Sequence, residues 1–191
     1  MTYGSKVGDQ VPDFSFKELQ KALLPNFYPA TTDIINLGGE WPTKMDWEDY
    51  WKTEAGNLEY YCKEKILDVI SKWENKRIAL FGFAPMPLLV KLGTILNNKH
   101  NVEVFQRQRN GGWSWPSEDE HIGYIIKRPT HTGNKPILVL SLSFPISQRI
   151  RLRESNASIW ELTIEQPIPD YLQSKSMLND FGRKVELLLD C

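Results

Sequence analysis

Apolar residues change their spacing from one segment of this chain to the next, and each spacing predicts an element. From Asn57 to Glu74, the residues Leu58, Tyr61, Cys62, Ile66, Val69, Ile70 and Trp73 recur three and four apart, the period of an amphipathic helix, with Asn57 as the expected N-cap behind Gly56. RIALFGF (77–83) is instead a continuous apolar run, as expected of a strand covered on both faces. It leads into APMP, where Pro85 and Pro87 lack a backbone N–H and have a fixed φ. Prolines are tolerated only in the first turn of a helix, so the strand ends near Phe83 and the next helix starts between Pro85 and Leu88. That helix carries Leu88, Leu89, Leu92, Ile95 and Leu96 on one stripe, and NNKH (97–100) is its stop signal.

VEVFQ (102–106) reads as the following strand, which completes a βαβ unit with parallel strands and a right-handed crossover. Further strands are expected at TDIINL (32–37), GYIIK (123–127) and PILVLSLSF (136–144). SIWELTI (158–164) alternates apolar and polar residues and reads as a strand nearer an edge. Lys175–Asp190 is a last helix burying Met177, Leu178, Phe181, Val185, Leu188 and Leu189. Residues 1–31 read as an arm or covering segment with one amphipathic stretch, FSFKELQKALL, and residues 32–191 as the domain. The expected class is α/β, a mainly parallel sheet with helices on both faces.

At 191 residues the chain fits one domain able to bury roughly 70% of its unfolded surface. Its 41% hydrophobic and 25% charged residues describe a globular protein, neither disordered nor membrane-embedded. No apolar run approaches the ~20 residues of a membrane span, and the N-terminus has no leader-like apolar core, so a cytoplasmic protein is expected. A net charge of -1 supplies no global attraction for DNA or RNA, so any phosphate binding has to come from a local cluster of charges. Cys62 and Cys191 have no metal or disulfide spacing.

In open parallel sheets ligands bind beyond the carboxyl ends of the strands. Three stretches belong there: GFAPMP, QRQRNGGWSW and SLSFP. The proline corner directs a helix N-terminus toward the crevice, a place suited to an anion, although it equally describes a bare strand-to-helix joint. Arg107 and Arg109 suit phosphate, Gln106 and Gln108 suit base edges, and Trp113 and Trp115 suit base stacking. The alternative is an edge strand with its tryptophans folded onto the core. Arg149, Arg151 and Arg153 read as a solvated basic face, SEDE (117–120) as a solvated loop, and His100, His121 and His131 as surface histidines. Asp46, Glu48 and Asp49 lack metal spacing, Ser141 and Ser143 lack a nucleophile elbow, and no phosphate-loop or dinucleotide motif is present. No cofactor, metal or catalytic residue is indicated. The residues describe a receptor.

The run IALFGFAPMPLLVKLGTILNNKHNVEVFQRQRNGGWSW, then ILVLSLSFPIS and IWELTIEQPIPDYLQSKSMLNDFGRKVELLLD, resembles the SAVED domain, the second-messenger sensor of bacterial antiphage systems such as CBASS and type III CRISPR. The likeness extends over about residues 32–190. It lies in the proline corner, the Leu92–Gly93 pair, the Gln-Arg segment before a Trp, the LSLS strand and the Trp-Glu-Leu strand followed by a Phe-containing helix.

The resemblance implies a Rossmann-like, CARF-like fold that binds a cyclic oligonucleotide, such as cyclic tri- or tetra-adenylate or a mixed cyclic trinucleotide, and assembles upon binding. It also implies an effector, and two CARF-like halves where this sequence matches only the first. The partners expected are therefore a separate effector, a chain supplying the second half, or further copies of this one, with no long nucleic acid and no membrane. The family's site maps onto Phe83, Ala84, Pro85, Met86 and Pro87 as a wall, Gln106, Arg107 and Arg109 for phosphate or base edges, Trp113 for stacking, and Ser143 and Phe144 as the floor. A ring nuclease opening the cyclic ligand, with Arg107 or Arg109 stabilising charge, and a structural subunit without ligand are the rival expectations.

Overall fold

The computed structural model describes residues 1–4, 7, 9–38, 47–66, 77–96, 101–109 and 112–189. The chain divides into two compact units, Met1–Ser114 and Trp115–Cys191, each holding one three-stranded sheet.

In the first unit β1 (Thr2–Gly4), β2 (Arg77–Phe83) and β3 (Asn101–Gln106) run parallel in the order β1-β2-β3. Successive residues of a strand face opposite sides. Ile78 and Leu80 accordingly enter one core with Tyr50 and Leu58 of α2 (Trp47–Tyr61), Cys62 and Ile66 of its π-helical continuation (Cys62–Ile66), and Leu88, Leu92 and Leu96 of α3 (Met86–Leu96). Phe81, with Ala79 and Phe83 beside it, enters a second core with Phe105, Trp113 and Leu19 and Leu23 of α1 (Phe16–Leu23). β2 is thus covered on both faces, as its unbroken apolar run requires.

Two local expectations change. The helix expected from Asn57 starts at Trp47, so Asn57 is not its cap but an interior residue whose Nδ2 donates to Glu54 Oε1 at 3.3 Å. Gly56 does not stop it, because an exposed helical glycine costs only about 1 kcal/mol and the turns before it bury Tyr50. TDIINL forms only an isolated bridge, Thr2 with Asn36, and lies beside β1 through Thr2 N to Ile35 O and Leu37 N to Thr2 O, both 2.9 Å. Val69, Ile70, Trp73, the NNKH stop, Asp46 and Cys191 lie outside the described residues.

The second unit contains β4 (Tyr124–Lys127), β5 (Lys135–Ser141), α4 (Ser147–Arg153), β6 (Ala157–Ile164) and α5 (Lys175–Leu189). Its order is β4-β6-β5, with β5 parallel and β4 antiparallel to β6. β6 is therefore central rather than near an edge. Its alternation misleads because the polar residues Glu161 and Thr163 are themselves buried, at 3% and 4% exposure. Phe181 and Val185 of α5 pack on Tyr124, Leu162 and Ile164, while Ile150 of α4 packs on Val139, Ala157 and Ile159. Leu189, expected inside, is exposed at the end of α5.

These two sheets correct the expected fold class. Secondary structure is α/β, but a single mainly parallel, Rossmann-like sheet is not formed: there is one parallel sheet and one mixed sheet of three strands each. The βαβ unit β2-α3-β3 forms as expected, yet β5 takes β6 as its parallel neighbour, and β6 uses its other edge for the antiparallel β4. Hydrophobic spacing identifies strands but does not say whose backbone groups they pair with. Among the described residues no helix is long and apolar enough to cross a membrane.

Candidate ligand site

The parallel sheet brings two of the three candidate stretches side by side. Gly82 on β2 is in register with Gln106 on β3, so Phe83 and Arg107 are the next residues on adjacent strands at the carboxyl edge. β1 ends at the same edge, with Gly4 in register with Phe83.

Beyond β2, Ala84 is buried, Pro85 is partly covered, and Met86 and Pro87 are exposed, Met86 at 72%. The corner offers fewer amides than a helix N-terminus normally does. Pro85 and Pro87 have none, and those of Leu88 and Leu89 both donate to Pro85 O, at 3.0 and 3.2 Å. Ala84 and Met86 carry the remaining backbone N–H groups of the stretch, so the expectation of a row of free helix amides is corrected: the corner is mainly an apolar shelf. Gly82 keeps the joint tight, since a Cβ there would stand 3.2 Å from Leu89 Cδ2.

Beyond β3, Gln106 and Arg107 are half-buried and Arg109 is exposed. The chain then turns back, with Gln108 N donating to Gly112 O at 2.8 Å. The Gln108 side chain is buried against its own strand end, where Nε2 reaches Gln106 O at 3.5 Å, so it is not an open reader of base edges.

Trp113 is 2% exposed. Its ring stacks on Phe14 at 5.3 Å and meets Phe81 edge-on at 5.4 Å, and Nε1 donates to Asp13 O at 3.0 Å. A ring so enclosed has no face for a base. It instead supports Arg107, whose guanidinium carbon lies 5.7 Å from the Trp113 ring centroid, within cation–π range. Arg107 Nη1 is buried and has no hydrogen-bond partner among the described residues. An unmet guanidinium donor is costly unless a ligand completes it.

Ser143 and Phe144 follow β5 in the second unit, Ser143 half-buried and Phe144 58% exposed. Two cavities, of about 480 and 430 Å³, lie elsewhere in the first unit. Leu19, Leu23, Phe27, Arg77 and Ala79 line the larger, and Tyr3, Glu54, Asn57, Tyr61 and Lys65 the smaller. Neither includes residues 83–87 or 106–109. At the corner itself Met86 and Pro87 are exposed.

SEDE is the solvated loop expected, with Glu118, Asp119 and Glu120 exposed, and it is anchored. Asp119 accepts from Ser176 Oγ at 2.9 Å, and Ser117 N donates to Gln173 O at 3.0 Å, which ties the loop to the start of α5. His121 Nδ1 lies 2.6 Å from Asp180 Oδ2, and this hydrogen bond and charge raise the His121 pKa above its ordinary value. Nothing in the sequence spacing signalled this pair, which joins residues 59 apart. Among the described residues no group of three or more His, Cys, Asp or Glu side chains suited to a metal ion is found.

Among known families, the model for SAVED, the SMODS-associated and fused to various effectors sensor domain, matches residues 61–190. No curated protein matches the chain.

Proposed function

The chain belongs to the SAVED family of sensor domains, and we propose that it is a non-enzymatic subunit that binds a cyclic oligonucleotide second messenger and signals by ligand-linked assembly. The observation that carries this reading is Arg107: a guanidinium backed by a buried indole, with one nitrogen unmet among the described residues, at the carboxyl edge of a parallel sheet. Guanidinium pairs with phosphate oxygens bidentately. Beside it, Met86 and Pro87 supply exposed apolar surface for a base, and Gln106 and Arg109 supply further polar contacts. In this reading Trp113 fixes Arg107 and does not stack on the ligand.

The exposure of Met86 and Pro87 bears on assembly. A polyanion lying on an open surface is only half desolvated, and a second surface closing over it adds contacts that exist only in the assembly. Binding and association are then thermodynamically linked. The closing surface belongs to another copy, to a chain supplying a second SAVED half, or to a separate effector in an antiphage system.

Incubation with a panel of cyclic di-, tri- and tetranucleotides tests the proposal, following melting temperature, native mass and ligand integrity together. A rise in melting temperature with intact ligand and a higher native mass is the expected result. Opening of the ring would replace the sensor by a ring nuclease, and no response to any member would leave a structural subunit.

A further inference from the structure

The smaller cavity of the first unit, about 430 Å³, shares no residue with the Arg107 corner, and the reading above gives it no role. Its walls are one face of α2 with its π-helical continuation, Tyr3 of β1, and residues 36–38 beside β1. Glu54, Leu58, Tyr61 and Lys65 recur four, three and four apart, which sets them on a single helix face. The π-helical turn that carries Lys65 is a rare departure from α-helix, frequent at functional sites. Gly38 closes the opposite wall: its φ of 98° suits glycine, and a Cβ there would stand 3.2 Å from the Tyr61 ring.

The polar groups of this cavity do not satisfy one another. Tyr3 and Glu54 are its deepest polar residues, at 1% and 9% exposure, while Asn36 and Asn57 stand exposed at its mouth. Among the described residues the Glu54 carboxylate has no ion pair, and the donor it meets is Asn57 Nδ2 at 3.3 Å. Lys65 is directed elsewhere, with Nζ donating to Asn36 O at 2.5 Å and lying 4.5 Å from the Tyr61 ring centroid. The Tyr3 hydroxyl is buried and has no hydrogen-bond partner among the described residues. Buried charges are normally paired and buried hydroxyls normally bonded, because both lose water on burial. Here a carboxylate and an ammonium line one cavity and leave each other unpaired.

We propose that this cavity binds a small zwitterion of the α-amino acid class. The ligand's ammonium group donates to Glu54, its carboxylate accepts from the Tyr3 hydroxyl and from Lys65, and Leu37, Leu58 and the Tyr61 ring surround its apolar part. An amine alone leaves Tyr3 and Lys65 unmet, and an acid alone leaves Glu54 unmet, so both charges are required on one molecule. The volume lies within the roughly 300–1,000 Å³ of small-molecule sites. Every residue involved belongs to the first unit, and the site does not rest on the cyclic oligonucleotide reading.

The test is the melting temperature of the full chain with each common L-amino acid at about 10 mM, followed by titration calorimetry on those that raise it. The same calorimetry is run with the decarboxylated amine and the N-acetyl derivative of each amino acid that binds. At least one amino acid is expected to stabilise the chain, with its amine and its N-acetyl derivative binding at least tenfold more weakly. Glu54→Gln and Lys65→Met are each expected to weaken binding tenfold or more. Tyr3→Phe separates a ligand contact from a structural one. It removes an unmet hydroxyl, so the ligand-free variant melts at or above the parent's temperature, while its affinity falls at least fivefold. A chain that no amino acid stabilises holds only water in this cavity, and the proposal falls. An amine that binds as tightly as its amino acid overturns it as well, as does unchanged affinity in Glu54→Gln. Should that variant not fold, unchanged affinity in Lys65→Met, a half-buried position, decides against the site.

Discussion

Arg107 and Trp113 illustrate how one residue's chemistry depends on another's burial. The guanidinium is held by the indole, and the indole by Phe14, Phe81 and the Asp13 carbonyl. Two substitutions separate ligand contact from support. Arg107→Ala removes charge-assisted hydrogen bonds worth about 1.5–3 kcal/mol, so titration calorimetry is expected to show about 10- to 100-fold weaker binding of the cyclic oligonucleotide, with the urea midpoint little changed. Unaltered affinity would place the site elsewhere. Trp113→Ala empties a packed aromatic cluster and is expected to cost about 3–5 kcal/mol in urea denaturation. Trp113→Phe keeps the ring contacts and loses the bond to Asp13, a loss nearer 1 kcal/mol. A Trp113→Ala variant as stable as the parent would mean that the indole is not a core residue.

Among the elements, α5 is tied to β4 and to the segment before it by polar contacts as well as by packing. Tyr124 Oη donates to Met177 O at 3.0 Å, and His121 reaches Asp180. The hydrogen bond that Asp180 accepts, then its charge, raise the His121 pKa, assisted by Asp119 and opposed by Arg183. A raised folded-state pKa stabilises the fold fully below the unfolded histidine value of about 6.5 and ceases to do so as pH rises through the folded value. The His121 ring protons, followed by NMR titration, are expected to move at higher pH than a free histidine's, and Asp180→Asn to return them to the ordinary range. No change on that substitution would show that the 2.6 Å contact does not form in solution. Element boundaries were legible where local physics is strong. The prolines mark the joint between β2 and α3, because no packing restores a missing N–H. Gly56 did not mark the start of α2, because exposed glycine is only a mild penalty that burial elsewhere in the helix outweighs.

For the whole molecule, ligand binding and stability are one quantity. A ligand that binds only the native state at a hundred times its dissociation constant adds about 2.7 kcal/mol, which for a chain of this size raises the melting temperature by roughly 5–10 °C. If assembly is linked to binding, the shift also grows with protein concentration. Scanning calorimetry at two protein concentrations is expected to show both dependences. A shift that is the same at both would mean that the ligand is bound without association.

Spacing, proline placement and turn chemistry were enough to locate β2, α3, β3, β4, β5, β6 and α5, though not β1 or α4, and to bring Gln106, Arg107 and the corner to one sheet edge, because these are forces acting within a few residues. The βαβ order did the rest, since a crossover of that length admits only parallel neighbours. Other features required the folded chain. Trp113 donates to a carbonyl 100 residues away, Glu161 is buried beside Lys127 on the neighbouring strand, and the strands divide between two sheets. Which edge a strand pairs with, and which polar side chain finds a partner that lets it leave water, are decided by groups far apart along the chain, and no local pattern encodes their meeting.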